Sequence, residues 1–211
     1  MNENLAGLYT IADTHSSRNL SPREIALMYL QGGATTLQLR MKGAPADQVF
    51  QAAREIVGLK ELFNFRLIVN DSLEVAREIN ADGYHGGKED PSIEEARRIL
   101  GPRKLIGYSS HSVAEALEAE KRGADYVAFG AIFPSPSKGH DHPVQGIEKL
   151  REVVSLLNVP VVAIGGIGRD NIKRVLSTGV SMVAMISALL RPGVSTVDEV
   201  KFYRGLFKGR S

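Results

Sequence analysis

Apolar residues in this chain gather in eight short runs, with sequence of helical period between most of them. The runs are Leu8–Ala12, Thr35–Leu39, Arg66–Val69, Gly83–His85, Lys104–Tyr108, Tyr126–Phe129, Val161–Ile164 and Met182–Ile186. They are rich in β-branched and aromatic residues and too short for helices, which marks them as buried strands. Four helix starts are announced by capping boxes at Ser21–Glu24, Ser92–Glu95, Ser112–Glu115 and Thr196–Glu199. Helix ends carry glycine just before the next strand, at Gly32-Gly33, Gly101, Gly123 and Gly179. The clearest unit runs from Pro160 to Ser187. A strand meets the glycine turn Gly165-Gly166-Ile167-Gly168, Asp170 is placed to cap a helix through Ser177, a second strand follows, and Ser187 opens another helical segment. Strand-turn-helix units of this kind offer backbone N–H groups to an anion.

Eight such units in 211 residues predict an α/β protein: one (β/α)8 barrel across residues 1–211, with a phosphate site at the C-terminal face of the sheet. A doubly wound open sheet would need a glycine-rich dinucleotide turn after the first strand, and Leu8–His15 has none.

Composition narrows the function. With a net charge of +2 and both signs interspersed, nothing points to a nucleic-acid or membrane partner. The basic residues near the C-terminus (Lys201, Arg204, Lys208, Arg210) suit the end of a last helix. No cysteine is present, which removes disulfides, thiolate nucleophiles and cysteine–zinc sites. No signal pattern or run of about 18 apolar residues occurs, so a cytoplasmic location is the expectation.

In a barrel, residues just past each strand face the active site. Gln38, Arg40 and Lys42 alternate, which puts them on one side of an extended segment suited to a doubly charged anion, or to a polar rim. Asp71 after the third strand and Asp90 after the fourth could each be a cap or turn residue. As a pair on adjacent strand ends beside Arg40 and Lys42, they favour Mg²⁺, a hard cation that takes few protein ligands. After the sixth strand, Pro134-Ser135-Pro136-Ser137-Lys138 offers two hydroxyls and a cation to phosphate oxygens, or merely connects elements. His140-Asp141-His142 has no metal-ligand spacing; it is expected to close over substrate as part of a lid. His85 reads equally as core or contact, and His111 is the better site candidate.

These motifs converge on a known family. From about Leu8 to Leu190 the chain resembles the thiamine phosphate synthases and their thiazole tautomerase relatives. The resemblance rests on Gln38-Leu39-Arg40-x-Lys42, Leu67-Ile68-Val69-Asn70-Asp71, Ala81-Asp82-Gly83-x-His85, Glu89-Asp90, Ile106-Gly107-x-Ser109, Phe133-Pro134-Ser135-x-Ser137-Lys138, Ala163-Ile164-Gly165-Gly166-Ile167 and Ile186-Ser187. It implies a transferase of thiamine biosynthesis that joins hydroxymethylpyrimidine pyrophosphate to thiazole phosphate with loss of pyrophosphate. It further implies that Gln38, Arg40, Lys42, Asn70, Ser109 and Lys138 hold the pyrimidine substrate, with Arg40, Ser109 and Lys138 nearest the chemistry. Asp71 and Asp90 become Mg²⁺ ligands, and Ser135, Ser137, Gly166, Ile186 and Ser187 hold the thiazole phosphate. Phosphorylated small molecules are the expected partners, and a homo-oligomer is compatible with this reading.

Departures from the family pattern mark where the reading is tested. Synthases usually place Arg after Asn-Asp, where this chain has Ser72, and Lys88 is the candidate to restore that cation. The tautomerases place a functional His at position 131, where this chain has Ala131, which argues against their activity. Retained competitors are a tautomerase-like paralogue needing no Mg²⁺, a sugar-phosphate isomerase or epimerase sharing the final cradle, and a regulatory protein that binds thiazole phosphate without turnover.

Overall fold

In a computed structural model, which describes residues 5–16, 19–134 and 143–207, parallel strands close into a barrel in chain order. The strands are β1 (Gly7–Asp13), β2 (Thr36–Arg40), β3 (Arg66–Asn70), β4 (Gly83–Gly86), β5 (Leu105–Ser110), β6 (Tyr126–Gly130), β7 (Val161–Ile164) and β8 (Met182–Met185). Each is followed by a helix: α1 (Pro22–Gln31), α2 (Ala46–Val57), α3 (Leu73–Glu78), α4 (Ile93–Leu100), α5 (Val113–Lys121), α6 (Gly146–Leu156), α7 (Ile172–Leu176) and α8 (Thr196–Gly205). The (β/α)8 expectation holds. Among the described residues no helix is long and apolar enough to cross a membrane.

Strand alternation divides the core in two. Outward residues such as Leu37, Leu39, Leu67, Val69, Val127 and Phe129 pack under the helices. Inward residues fill the barrel with Tyr9, Ile11, Ile68, Tyr126, Val162, Met182 and Ala184. Two of those interior residues are tyrosines, so the barrel's middle is polar at chosen points. Aspartates just ahead of the strands tie neighbours together. The Asp82 carboxylate accepts from the Leu67 amide at 2.7 Å, and Asp125 accepts from the Ile106 amide at 2.7 Å.

The predicted caps mostly form. Ser21 and Glu24 make a reciprocal box, while Ser92 and Ser112 accept from the amides of Glu95 and Glu115. Three boundary expectations are corrected. The last helix is capped by Ser195, one residue ahead of Thr196, and Glu199 leaves the cap for a buried ion pair. Asn171, not Asp170, occupies the cap position of α7. Ser187 opens only turns, with Leu189 and Leu190 bonding back to Ile186 and Ser187. Pro192 follows, and its ring cannot join a continuing helix.

Candidate active site

Parallel register sets the charged end of the face. Asp13 and Arg40 are paired across β1 and β2, and the buried Asp13 carboxylate accepts from Arg40 Nη1 at 2.8 Å. Ser16 donates to the other Asp13 oxygen at 2.9 Å, so Arg40 is aimed by a fixed anion. Gln38 lies on the same side of β2 but deeper, 3% exposed, with Nε2 donating to the Tyr9 hydroxyl at 3.0 Å. Lys42, in the loop beyond, is exposed.

Asp71 takes a left-handed backbone (φ 63°), and its amide donates to the His85 carbonyl across to β4. That turn carries the carboxyl over to Asp90, with which it shares a hydrogen bond. Burial and the Asp90 charge push the Asp71 carboxyl up to about 6, against the pull of Arg40 and Lys42. The Gly87 amide donates to Asp90 Oδ2 at 2.7 Å and anchors it. Two carboxyls that resist ionising together are a donor set that positive charge relieves, and their hard oxygens fit Mg²⁺. Among the described residues no group of three or more His, Cys, Asp or Glu converges, so nothing there forms a closed metal cage. Asn70, at the end of β3, is half-buried beside this pair. Lys88 is exposed, whereas the cations acting on Asp71 are Arg40 and Lys42.

At the next strand ends, His85 is buried, with Nε2 against Ser109 Oγ at 2.9 Å. His111 donates from Nδ1 to the Gly130 carbonyl at 2.8 Å, which fastens its ring between β5 and β6.

The opposite end is built from main chain. Gly165 and Gly166 have φ of 100° and 65°. A Cβ on Gly166 would collide with the Pro134 carbonyl and Phe133, and one on Gly165 with Ala131. Only glycine allows this fold of the loop. Asn171 fixes it from within, accepting from the Gly168 amide at 2.9 Å and donating to the Gly166 carbonyl at 2.9 Å. A cavity of about 470 Å³ opens here, lined by Gly166, Ile186 and Ser187 together with Arg169, Arg191 and Tyr203. That size suits a small organic ligand.

The sequence reading missed the partners of this cavity. Glu199, 1% exposed, accepts from Arg169 Nη2 at 2.6 Å and Arg191 Nη2 at 3.0 Å, which clasps both loops to α8. Arg169 also stacks on Phe202 at 3.8 Å. The signal was present: Glu199, Val200 and Tyr203 form the buried stripe of α8, so the glutamate sits among the inward positions. Asp13 could be read only as a residue at the end of the first strand; its pairing with Arg40 comes from the register of β1 and β2. Ser135, Ser137, Lys138 and the His140–His142 segment lie outside the described residues.

Comparison with known proteins agrees along most of the chain. The family described as thiamine monophosphate synthase matches residues 8–189. A thiamine-phosphate synthase of Pyrococcus abyssi is 45% identical over 91% of this chain and 89% of that protein. One from Clostridium novyi is 42% identical over 87% and 90%, respectively. The solved thiamine phosphate pyrophosphorylase from Pyrococcus furiosus superposes with a TM-score of 0.86, covering 96% of each chain at 38% identity.

Proposed function

The chain belongs to the thiamine monophosphate synthase family, and on that premise we propose which residues carry each part of its reaction. It is a transferase that joins hydroxymethylpyrimidine pyrophosphate to thiazole phosphate, giving thiamine phosphate and pyrophosphate. The carbon–oxygen bond to pyrophosphate breaks, and the thiazole nitrogen forms the new bond at the pyrimidine methylene carbon. No protein nucleophile is needed; charge must be managed and two substrates aligned.

Arg40, aimed by Asp13, and Lys42 meet the departing pyrophosphate, with Asn70 and Lys138 completing its contacts. Asp71 and Asp90 would hold Mg²⁺. Bound there, Mg²⁺ supplies positive charge to the phosphate oxygens as negative charge grows on them. Gln38 and Ser109 orient the pyrimidine ring. Gly166, Ile186 and Ser187, with Ser135 and Ser137, hold the thiazole phosphate, so the nitrogen approaches from the β7–β8 side. Ala131 stands where a tautomerase would need its histidine, which supports transfer over isomerisation.

The observation that carries this reading is the contact of Asp71 with Asp90 beside Arg40 and Lys42. The test is pyrophosphate release from both substrates, with Mg²⁺ and with chelator, in wild type and Asp90→Ala. Release that depends on Mg²⁺ and collapses in Asp90→Ala is expected. Equal release from the folded variant, or in chelator, overturns the metal assignment.

A further inference from the structure

A row of hydrogen bonds crosses the barrel interior. Gln38 Nε2 donates to the Tyr9 hydroxyl at 3.0 Å, and Tyr9 and Tyr126 hydroxyls meet at 2.9 Å. Tyr126 reaches His85 Nδ1 at 3.1 Å, and His85 Nε2 reaches Ser109 Oγ at 2.9 Å. The ends are the two side chains assigned to the pyrimidine ring. The three between them are at most 5% exposed, and burial pushes both phenols upward, so they keep their hydrogens.

Each hydroxyl has one hydrogen to give, so the row has a direction. Because the Gln38 amide donates to Tyr9, the Tyr9 hydrogen is directed to Tyr126. Tyr126 then donates to His85 Nδ1. A neutral ring that accepts at Nδ1 carries its hydrogen on Nε2 and donates it to Ser109. The Ser109 hydroxyl, already accepting, turns its own hydrogen toward the ligand. We infer that this row fixes His85 as its Nε2–H tautomer and so presents Ser109 as a hydrogen-bond donor, with Tyr9, Tyr126 and His85 as positioning residues. The ligand group that fits is an aromatic ring nitrogen with a free lone pair. This last step rests on the pyrimidine reading above; the direction of the row does not.

The test starts with the ¹⁵N shifts of the His85 ring in the full chain at pH 8. The Nε2–H tautomer is expected, and an Nδ1–H or imidazolium pattern overturns the inference. Gln38→Glu places an acceptor at the start of the row, which should invert every bond and convert His85 to Nδ1–H. Adding Tyr9→Phe cuts the row, so the His85 tautomer should then be the same with Gln or Glu at position 38. A folded Gln38→Glu protein with an unchanged tautomer overturns the inference. In kinetics, His85→Phe should raise KM for the pyrimidine substrate about fivefold to tenfold, the loss of one hydrogen bond, while KM for thiazole phosphate holds. His85→Gln, which keeps an N–H for Ser109, should recover most of that loss, and equal defects in both variants speak against the role. An inverted tautomer in a protein without synthase activity would keep the directional row and remove the pyrimidine reading. Activity with a tautomer blind to residue 38 would do the reverse.

Discussion

The two ends of the candidate active face are built by opposite means. At β2–β4 the site is made of side chains, with Arg40, Lys42, Asp71 and Asp90 placed by strand register and held by fixed partners such as Asp13 and the Gly87 amide. At β7–β8 it is made of main chain, shaped by glycines at positive φ and laced together by Asn171 and Glu199. The first end can change charge without changing shape. At the second, most changes alter the shape itself. Side-chain sites should therefore respond to mutation in rate, and main-chain sites in affinity and stability together.

Asp71→Asn offers the sharpest break in that comparison. It should lower turnover about 10²- to 10³-fold, as loss of a transition-state electrostatic contact does, while leaving thermal stability equal or higher because a crowded carboxyl is gone. Steady-state rates beside a melting curve check both halves. Gly166→Ala should behave in the opposite way. Its left-handed backbone and the nearby Pro134 carbonyl leave no place for a methyl group, at a cost of about 1–3 kcal/mol. A lower Tm together with weaker thiazole phosphate binding by calorimetry, at unchanged pyrimidine KM, is the expected pattern.

Glu199→Gln should lower Tm by roughly 3–10 °C, since it leaves two arginines without their shared anion. The pH dependence has a definite sign. Burial alone would raise the Glu199 carboxyl, but its hydrogen bonds to Arg169 and Arg191 prevail and hold it below the ordinary carboxylate range. Its contribution to stability is then present above that range and fades as pH falls through it. Wild type should lose more stability than Glu199→Gln between pH 6 and pH 3, measured by denaturant midpoint. A parallel loss in both proteins would show that the clasp contributes nothing. The smallest effect belongs to Ser72→Arg, which restores the cation usual in the synthases. A change of about twofold to threefold in pyrimidine KM is expected, because an exposed cation adds little to a site already holding Arg40 and Lys42.

Much of this molecule was legible in its residues. Strand cores, glycine helix ends and the glycine turn after β7 follow from local pattern, because alternation and left-handed backbone are properties of a few consecutive residues. What escaped depends on contacts between distant segments. The alternation of Gln38 and Arg40 was visible, but their different depths depend on Tyr9, which is 29 residues from Gln38 in sequence. Ser187 looked like a helix start because Ala188, Leu189 and Leu190 suit a helix, yet Leu189 and Leu190 are buried in a turn that Pro192 cannot extend. Glu199 matched a capping box as well as a buried anion, and only the positions of Arg169 and Arg191 separate the two.

The interior tyrosines also bear on how this barrel could be rebuilt from pieces. Gly107 on β5 has no room for a Cβ, since Tyr126 from β6 and His85 from β4 occupy that space. Three consecutive strands are thus cut to one another's shape, like tenons fitted to a single mortise. A chimera joined between β5 and β6 would set a foreign side chain against Tyr126 or leave a hole beside Gly107. Joints placed before β4 or after β6 keep the trio intact, so barrels recombined there should fold where those joined at β5–β6 fail.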